Sequence, residues 1–213
     1  MKITKGTIVL LDPQSKKVLR TIELQYNPES VTRSLQAQTI EEQQGDQSQA
    51  MRLTGPPVET IRIDAQLDAM GIMNDSAHEG LVEKFGVKAQ ISALESIIYP
   101  SSRHLKSVYA AASRGVMEIT PPQAPLVLFS WSPSRQGLPV RITELSIEEQ
   151  FFDPNLHPIR AKISISMRIL NVNDIGFSGL GGQLAMTHHQ RLERLAIAGA
   201  SKNARQSPRG GVT

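Results

Sequence analysis

The stretch Ile142-Thr-Glu-Leu-Ser-Ile-Glu-Glu-Gln-Phe-Phe-Asp-Pro-Asn-Leu-His-Pro-Ile-Arg-Ala-Lys-Ile-Ser-Ile-Ser-Met-Arg-Ile-Leu170 decides the fold. In its second half Ala161, Ile163, Ile165, Met167 and Ile169 share one parity, and Lys162, Ser164, Ser166 and Arg168 share the other. Period two over this length predicts a strand with one buried and one wetter face. The first half repeats the pattern in Val140 and Ile142, then Leu145 and Ile147, with a change of phase around Glu144. Such a slip predicts a β-bulge or a strong bend. Between the halves, Phe151 to Pro158 is a proline-bounded turn.

Working outward, more strands follow. Pro125 to Trp131 is a compact apolar run closed by Ser132-Pro133 and Gly137. At the front, Thr7 to Leu11 and a run with Val18, Ile22, Leu24 and Tyr26 on one parity are joined by a polar link, which predicts a hairpin. Asn27-Pro28 ends the second run, because proline cannot donate to a ladder. Beyond Gly55-Pro-Pro57, Ile61, Ile63, Ala65 and Leu67 alternate with Arg62, Asp64, Gln66 and Asp68 in another half-buried strand. Gln36 to Gln49 is crowded with glutamine and almost free of large apolar residues, so it reads as a long loop or extended arm.

Helix is expected between Asn74 and Ser113. Val87, Ile91, Leu94 and Ile98 fall on one helix face, and Pro100 stops the run. Leu105 to Ser113 fits either another turn or two or a loop. The fold class predicted is therefore mainly β (α+β), a closed or strongly curved sheet of six or seven strands around one or two helices. After this domain, residues 1–170, come a joint marked by Gly176, Gly179, Gly181 and Gly182 and a helix over Gln183 to Ala198, together residues 171–200. Residues 201–213 are polar and basic and are expected to be disordered.

Composition narrows the function. The 213 residues are 39% hydrophobic and 20% charged, with one Trp, three Tyr and five Phe, so the core must be mainly aliphatic. No apolar run approaches the ~20 residues of a membrane helix. The start lacks the ~7–15-residue apolar stretch of a secretory signal. The absence of cysteine excludes disulfides, thiolate metal sites and cysteine nucleophiles and fits a reducing, cytoplasmic setting. The net charge of +3 is uneven: residues 188–213 hold five Lys/Arg against one Glu, which leaves the rest at −1. The body is thus not a basic surface built for nucleic acid.

Reactive constellations are lacking in the sequence. His78, His104, His157, His188 and His189 form no HExxH motif, and the adjacent His188 and His189 would point about 100° apart on a helix. Glu41-Glu42 lie in the glutamine-rich arm, and Glu148-Glu149 fall on opposite faces of one strand. There is no GxSxG elbow, and the glycines at 179–182 lack a phosphate-binding lysine. No enzyme activity, metal or cofactor is expected. The basic tail could contact phosphate, but the aromatic platforms of a single-strand binder are nearly missing.

Two turn segments are more specific. The first is Leu24-Gln-Tyr-Asn-Pro-Glu-Ser-Val-Thr-Arg-Ser34, and the second is the Phe-Asp-Pro-Asn-Leu-His-Pro-Ile-Arg-Ala turn of the opening stretch. On their own they are two rigid β-turns. In this order, with the Ile91–Pro100 helix between them, they resemble the tube-like proteins of bacterial contractile injection systems over about residues 5–170. Within that group the chain looks most like the adaptor, or tube initiator, that joins the inner tube to the spike and baseplate. The segment after Leu170 is too short for the LysM domain that such adaptors commonly carry, which puts a LysM-dependent contact in doubt.

The resemblance implies a tube-protein-like β-barrel with a flanking helix, assembling as a homo-hexameric ring with tube subunits, spike and baseplate proteins as partners. It marks Tyr26, Asn27, Pro28, Glu29, Ser30, Arg33, Phe152, Asp153, Pro154, Asn155 and Arg160 as motif and interface residues. Leu184, Leu192 and Leu195 are the candidate docking residues of the tail helix. An ordinary inner-tube subunit is the neighbouring alternative. A nucleic-acid-binding β-barrel with a basic tail is the alternative from another class.

Overall fold

The computed structural model describes residues 4–12, 15–39, 52–73, 79–115, 124–131 and 137–200. The strands are β1 (Thr7–Leu11), β2 (Val18–Glu23), β3 (Val31–Thr39), β4 (Leu53–Asp68), β5 (Leu126–Ser130), β6 (Leu138–Phe152) and β7 (Pro158–Ile169). They form one antiparallel sheet in the order β2-β1-β5-β6-β7-β4-β3. The mainly β, α+β class is as expected. The sheet, however, is open rather than closed into a barrel: β2 and β3 are its two edges and do not pair with each other.

The long β6–β7 hairpin and β4 carry the core. Ile61, Ile63, Ala65 and Leu67 of β4 lie in register with Met167, Ile165, Ile163 and Ala161 of β7, and all eight are buried. Arg62, Asp64 and Gln66 point to the opposite, open face with Lys162. The phase slip around Glu144 is a register shift between Ile142 and Glu144, where the hydroxyl of the extra residue Thr143 donates to the Ser166 carbonyl at 3.0 Å. β1 and β5 extend the buried face through Ile8, Leu10, Val127 and Phe129.

Helices flank the sheet, and Ile72, Val82, Ile91 and Leu94 from three of them cover its buried face. The helices are α1 (Ala69–Met73), α2 (Glu79–Phe85), α3 (Lys88–Glu95), α4 (Ser102–Ala112), α5 (Val172–Ile175) and α6 (Leu180–Ala200). Val87, Ile91 and Leu94 are buried as their spacing predicts. Ile98 is not. After Glu95 the chain tightens, the Ile97 amide donates to the Leu94 carbonyl at 3.1 Å, and Ile97 takes the buried place. The ambiguous Leu105–Ser113 segment belongs to α4, whose start is capped by the Ser101 side chain accepting from the His104 amide.

Three boundaries differ from the sequence expectation. The glutamine-rich stretch begins as strand: β3 runs to Thr39, paired with β4, and the rest of that stretch (40–51) lies outside the described residues. β4 starts before Gly55-Pro-Pro57, because β7 pairs with it only from Glu59 onward. The two prolines therefore sit where β4 has no second neighbour that needs their missing N–H groups. Gly181 and Gly182, expected in a joint, are helical and buried, since α6 starts at Leu180. A Cβ at Gly182 would run into the Gly176 carbonyl, so the glycine permits close packing there rather than swivelling. The expected basic tail at 201–213 and the start of the helical region at 74–78 lie outside the described residues.

Candidate functional site

The two motif turns lie at the same end of the sheet. In the first, Leu24 is buried and its amide donates to the Gly6 carbonyl at 2.9 Å. Asn27 then clamps the chain entering β1: its Oδ1 accepts from the Gly6 amide at 3.0 Å, and its Nδ2 donates to the Thr4 carbonyl at 2.9 Å. A side-chain amide is suited to this because it presents one acceptor and two donors. The Tyr26 hydroxyl lies where a side chain at Gly71 would stand, so the first residue of the motif packs on α1. Pro28, Glu29 and Ser30 rim an open cavity of about 580 Å³ on the polar face, with Asp64, Lys162 and Glu148 opposite.

The second turn is held by one carboxylate. Asp153 Oδ1 accepts from the amides of Asn155 and His157, both at 2.8 Å, and Oδ2 lies 3.0 Å from His157 Nδ1. These contacts, led by the His157 amide, hold the Asp153 carboxyl below its ordinary range. Pro154, Asn155 and Leu156 form the exposed tip, and Phe151 and Phe152 are exposed beside it. Phe151 (φ 53°) and Leu156 (φ 64°) have left-handed backbones, which bulky residues rarely adopt without support from neighbours. The Arg160 guanidinium lies 5.4 Å from the Phe151 ring centre.

Asp68, at the end of β4, joins the turns. The Gln25 side-chain amide meets its backbone twice: Nε2 donates to the Asp68 carbonyl and Oε1 accepts from the Asp68 amide, both at 2.8 Å. This two-point contact imitates a strand partner and laces the end of β2 to the end of β4, across the gap where the sheet fails to close. Asp68 Oδ2 accepts from Arg160 Nε at 3.0 Å and Nη2 at 2.7 Å, and Oδ1 accepts from the Met70 amide at 2.9 Å. Sequence reasoning treated Asp68 only as an outward residue of an alternating strand and did not single out Gln25. The available signal was an aspartate at a strand-to-helix junction, a favoured N-capping position.

Arg33 is not part of this group. Its Nε donates to Glu59 Oε1 at 2.6 Å, and Glu59 is only 6% exposed. The docking candidates also separate. Leu184 and Leu192 are half-buried, whereas Leu195 is exposed. His188 is half-buried, with its pKa pushed down mainly by burial and pulled up by Glu59, and its Nε2 has no hydrogen-bond partner.

Among the described residues no group of three or more His, Asp or Glu is placed to hold a metal ion. No described helix is long and apolar enough to cross a membrane. The geometry is that of a braced end of an open sheet, with rigid turns, an exposed aromatic tip and a polar face. No curated protein matches this chain. The family model described as contractile injection system tube protein matches residues 2–171, and the chain belongs to that family, as a structural tube component.

Proposed function

We propose that the chain builds a sixfold ring that joins the inner tube of a contractile injection particle to its spike and baseplate, and that this ring templates the first tube layer. The observation that supports it is the open sheet of a tube-family chain, whose edges β2 and β3 each have a single neighbour. β3 keeps a regular register with β4 from Val31 to Gln36 and shifts register only beyond it, and its only charged residue, Arg33, is engaged by Glu59. Monomeric proteins guard such edges with lysine, proline or bulges, whereas a closed ring pairs them. The open face bearing Arg62, Asp64, Gln66 and Lys162 would then line a wet channel. Partners are copies of this chain, tube subunits, spike and baseplate proteins. The role is one of shape rather than catalysis, with assembly in the cytoplasm.

Residues 172–200 favour the adaptor over a plain tube subunit. They lie beyond the matched region and add α5 and α6, for which a uniformly stacking subunit has little use. The test is electron microscopy of the purified chain, and of particles captured through a tag on it, with light-scattering mass on the same samples. Single sixfold rings at one end of the tube are expected. Long stacks of this chain would make it an inner-tube subunit. A chain that is monomeric and absent from every captured particle would overturn the ring, and salt-sensitive retention on DNA would then favour the nucleic-acid reading.

A further inference from the structure

β4 has two strand neighbours along its middle but only one at its end. Its ladder with β7 runs without a shift from Glu59 to Asp68, whereas its ladder with β3 begins only at Val31, opposite Ile63. In an antiparallel strand the N–H and C=O of one residue point to the same side, and alternate residues point to opposite sides. The Gln25 side chain takes both main-chain groups of Asp68, so these point away from β7. Asp64 and Gln66 share that parity and aim theirs the same way. Among the described residues no main-chain bond meets them there. Both residues line the open cavity of about 580 Å³ that Pro28, Glu29 and Ser30 rim.

The nearest chain that could pair here is the motif segment before β3, and its sequence prevents it. If the β3–β4 register is continued, Ser30 falls opposite Asp64 and Pro28 opposite Gln66. Proline has no N–H to give the Gln66 carbonyl, so the ladder cannot extend through that rung. Asn27 is tied elsewhere, to Gly6 and the Thr4 carbonyl. The result is a notch on the polar face with two main-chain N–H and two C=O groups, one pair about 7 Å from the next. Glu29, Asp64 and Glu148 surround it against the single ammonium of Lys162. Arg62 comes within only 3.9 Å of Asp64, between exposed side chains.

We propose that this notch takes an extended segment of a partner protein by strand addition, with lysine or arginine on the polar side, and that Pro28 keeps the chain's own motif segment from filling it. In strand addition the main-chain bonds hold the segment and its alternate side chains select it. Residues paired with Asp64 and Gln66 carry their side chains on the same face, so every second side chain of the incoming strand meets the carboxylates. Charge therefore favours a cationic occupant. The notch lies within one chain and needs no ring, so it goes beyond the ring reading and is tested apart from it.

The test is amide exchange of the full chain, taken relative to the intrinsic rate, at a concentration where light scattering shows a monomer. Ala65 and Leu67, which point to β7, should be protected, and Asp64 and Gln66 should not. The probe is a blocked peptide of alternating threonine and lysine, about seven residues long. It should slow exchange at Asp64 and Gln66 progressively, to about tenfold when its concentration is about nine times its Kd. Methylating its lysine amides should abolish the effect, and methylating its threonine amides should not. No slowing, or equal slowing by both methylated forms, would overturn strand addition. The threonine–glutamate counterpart should bind several-fold more weakly at low salt, and equal binding would overturn the cationic occupant. Pro28→Thr, checked for folding by circular dichroism and by protection at Ala65, should protect Gln66 without peptide. An unchanged Gln66 amide there would overturn the role of Pro28. Protection of Asp64 and Gln66 in the free monomer, lost when residues 201–213 are removed, would make the chain's own tail the occupant and overturn a partner.

Discussion

The carboxylate of Asp68 binds Arg160 while the Gln25 amide holds its backbone from both sides, so residues far apart in sequence share one junction. Gln25→Ala would leave a part-buried N–H and C=O without partners, and each such loss costs about 1–3 kcal/mol. We expect the unfolding free energy from urea titration to fall by a comparable total, whereas Gln66→Ala on the open face should change it by no more than about 0.5 kcal/mol. His188 gives a pH prediction. Burial lowers its folded pKa, so the docked helix binds fewer protons than the free one, despite the opposing pull of Glu59. Arg33, Arg191 and His189 act in the same direction as burial. Docking of α6 is therefore favoured above the ordinary histidine pKa of about 6.5 and weakens as pH falls through it toward the folded value. Protection of the 181–188 amides, taken relative to the intrinsic exchange rate at each pH, should fall on acidification, and His188→Gln should flatten the dependence between about pH 7 and 5. Equal loss of protection in both proteins would reject this account.

At the scale of elements, Gly182 and Gly179 offer a clean comparison. A Cβ at Gly182 would overlap the Gly176 carbonyl, whereas at Gly179 it would meet nothing within 4 Å. Gly182→Ala should lift α6 without unfolding the sheet, so that trypsin cuts at Arg191 and Arg194 several-fold faster, while Gly179→Ala should leave the rate unchanged. The same contrast explains what the sequence could and could not tell. β4 and β7 were legible because both pack one face on helices, which forces alternation through Ile61–Leu67 and Ala161–Ile169. β3 was not, because an edge strand takes its stability from the ladder with β4, and its serine and glutamines reveal no buried side. The buried glycines of α6 were hidden for a related reason: glycine signals a turn by composition, and only the approach of the Gly176 backbone gives it another use. The two turn motifs could be found from their prolines and asparagines, but their meeting at Asp68 depended on a curvature of the sheet that no local pattern encodes.

For the whole molecule, the decisive property is that the two sheet edges differ in charge and in guard. The β2 edge is entered through Lys16 and Lys17 and carries Arg20 against a single Glu23, so it is basic. The β3 edge is nearly uncharged, since Arg33 is neutralised by Glu59. If the ring closes by setting β3 of one copy beside β2 of the next, new charge on β3 must act with a definite sign. Ser34→Lys with Gln36→Lys would place cations against a basic edge and should weaken assembly at low salt. The defect should fade as salt rises, because exposed charges are screened over about 8 Å at physiological ionic strength. Ser34→Glu with Gln36→Glu should do the opposite and strengthen assembly at low salt. Both pairs are exposed and should leave the monomer's melting temperature within a few degrees. Light-scattering mass across a salt series reads the outcome. A shift of the same sign in both variants would mean that β3 meets something other than a basic edge and would rule out closure through β2.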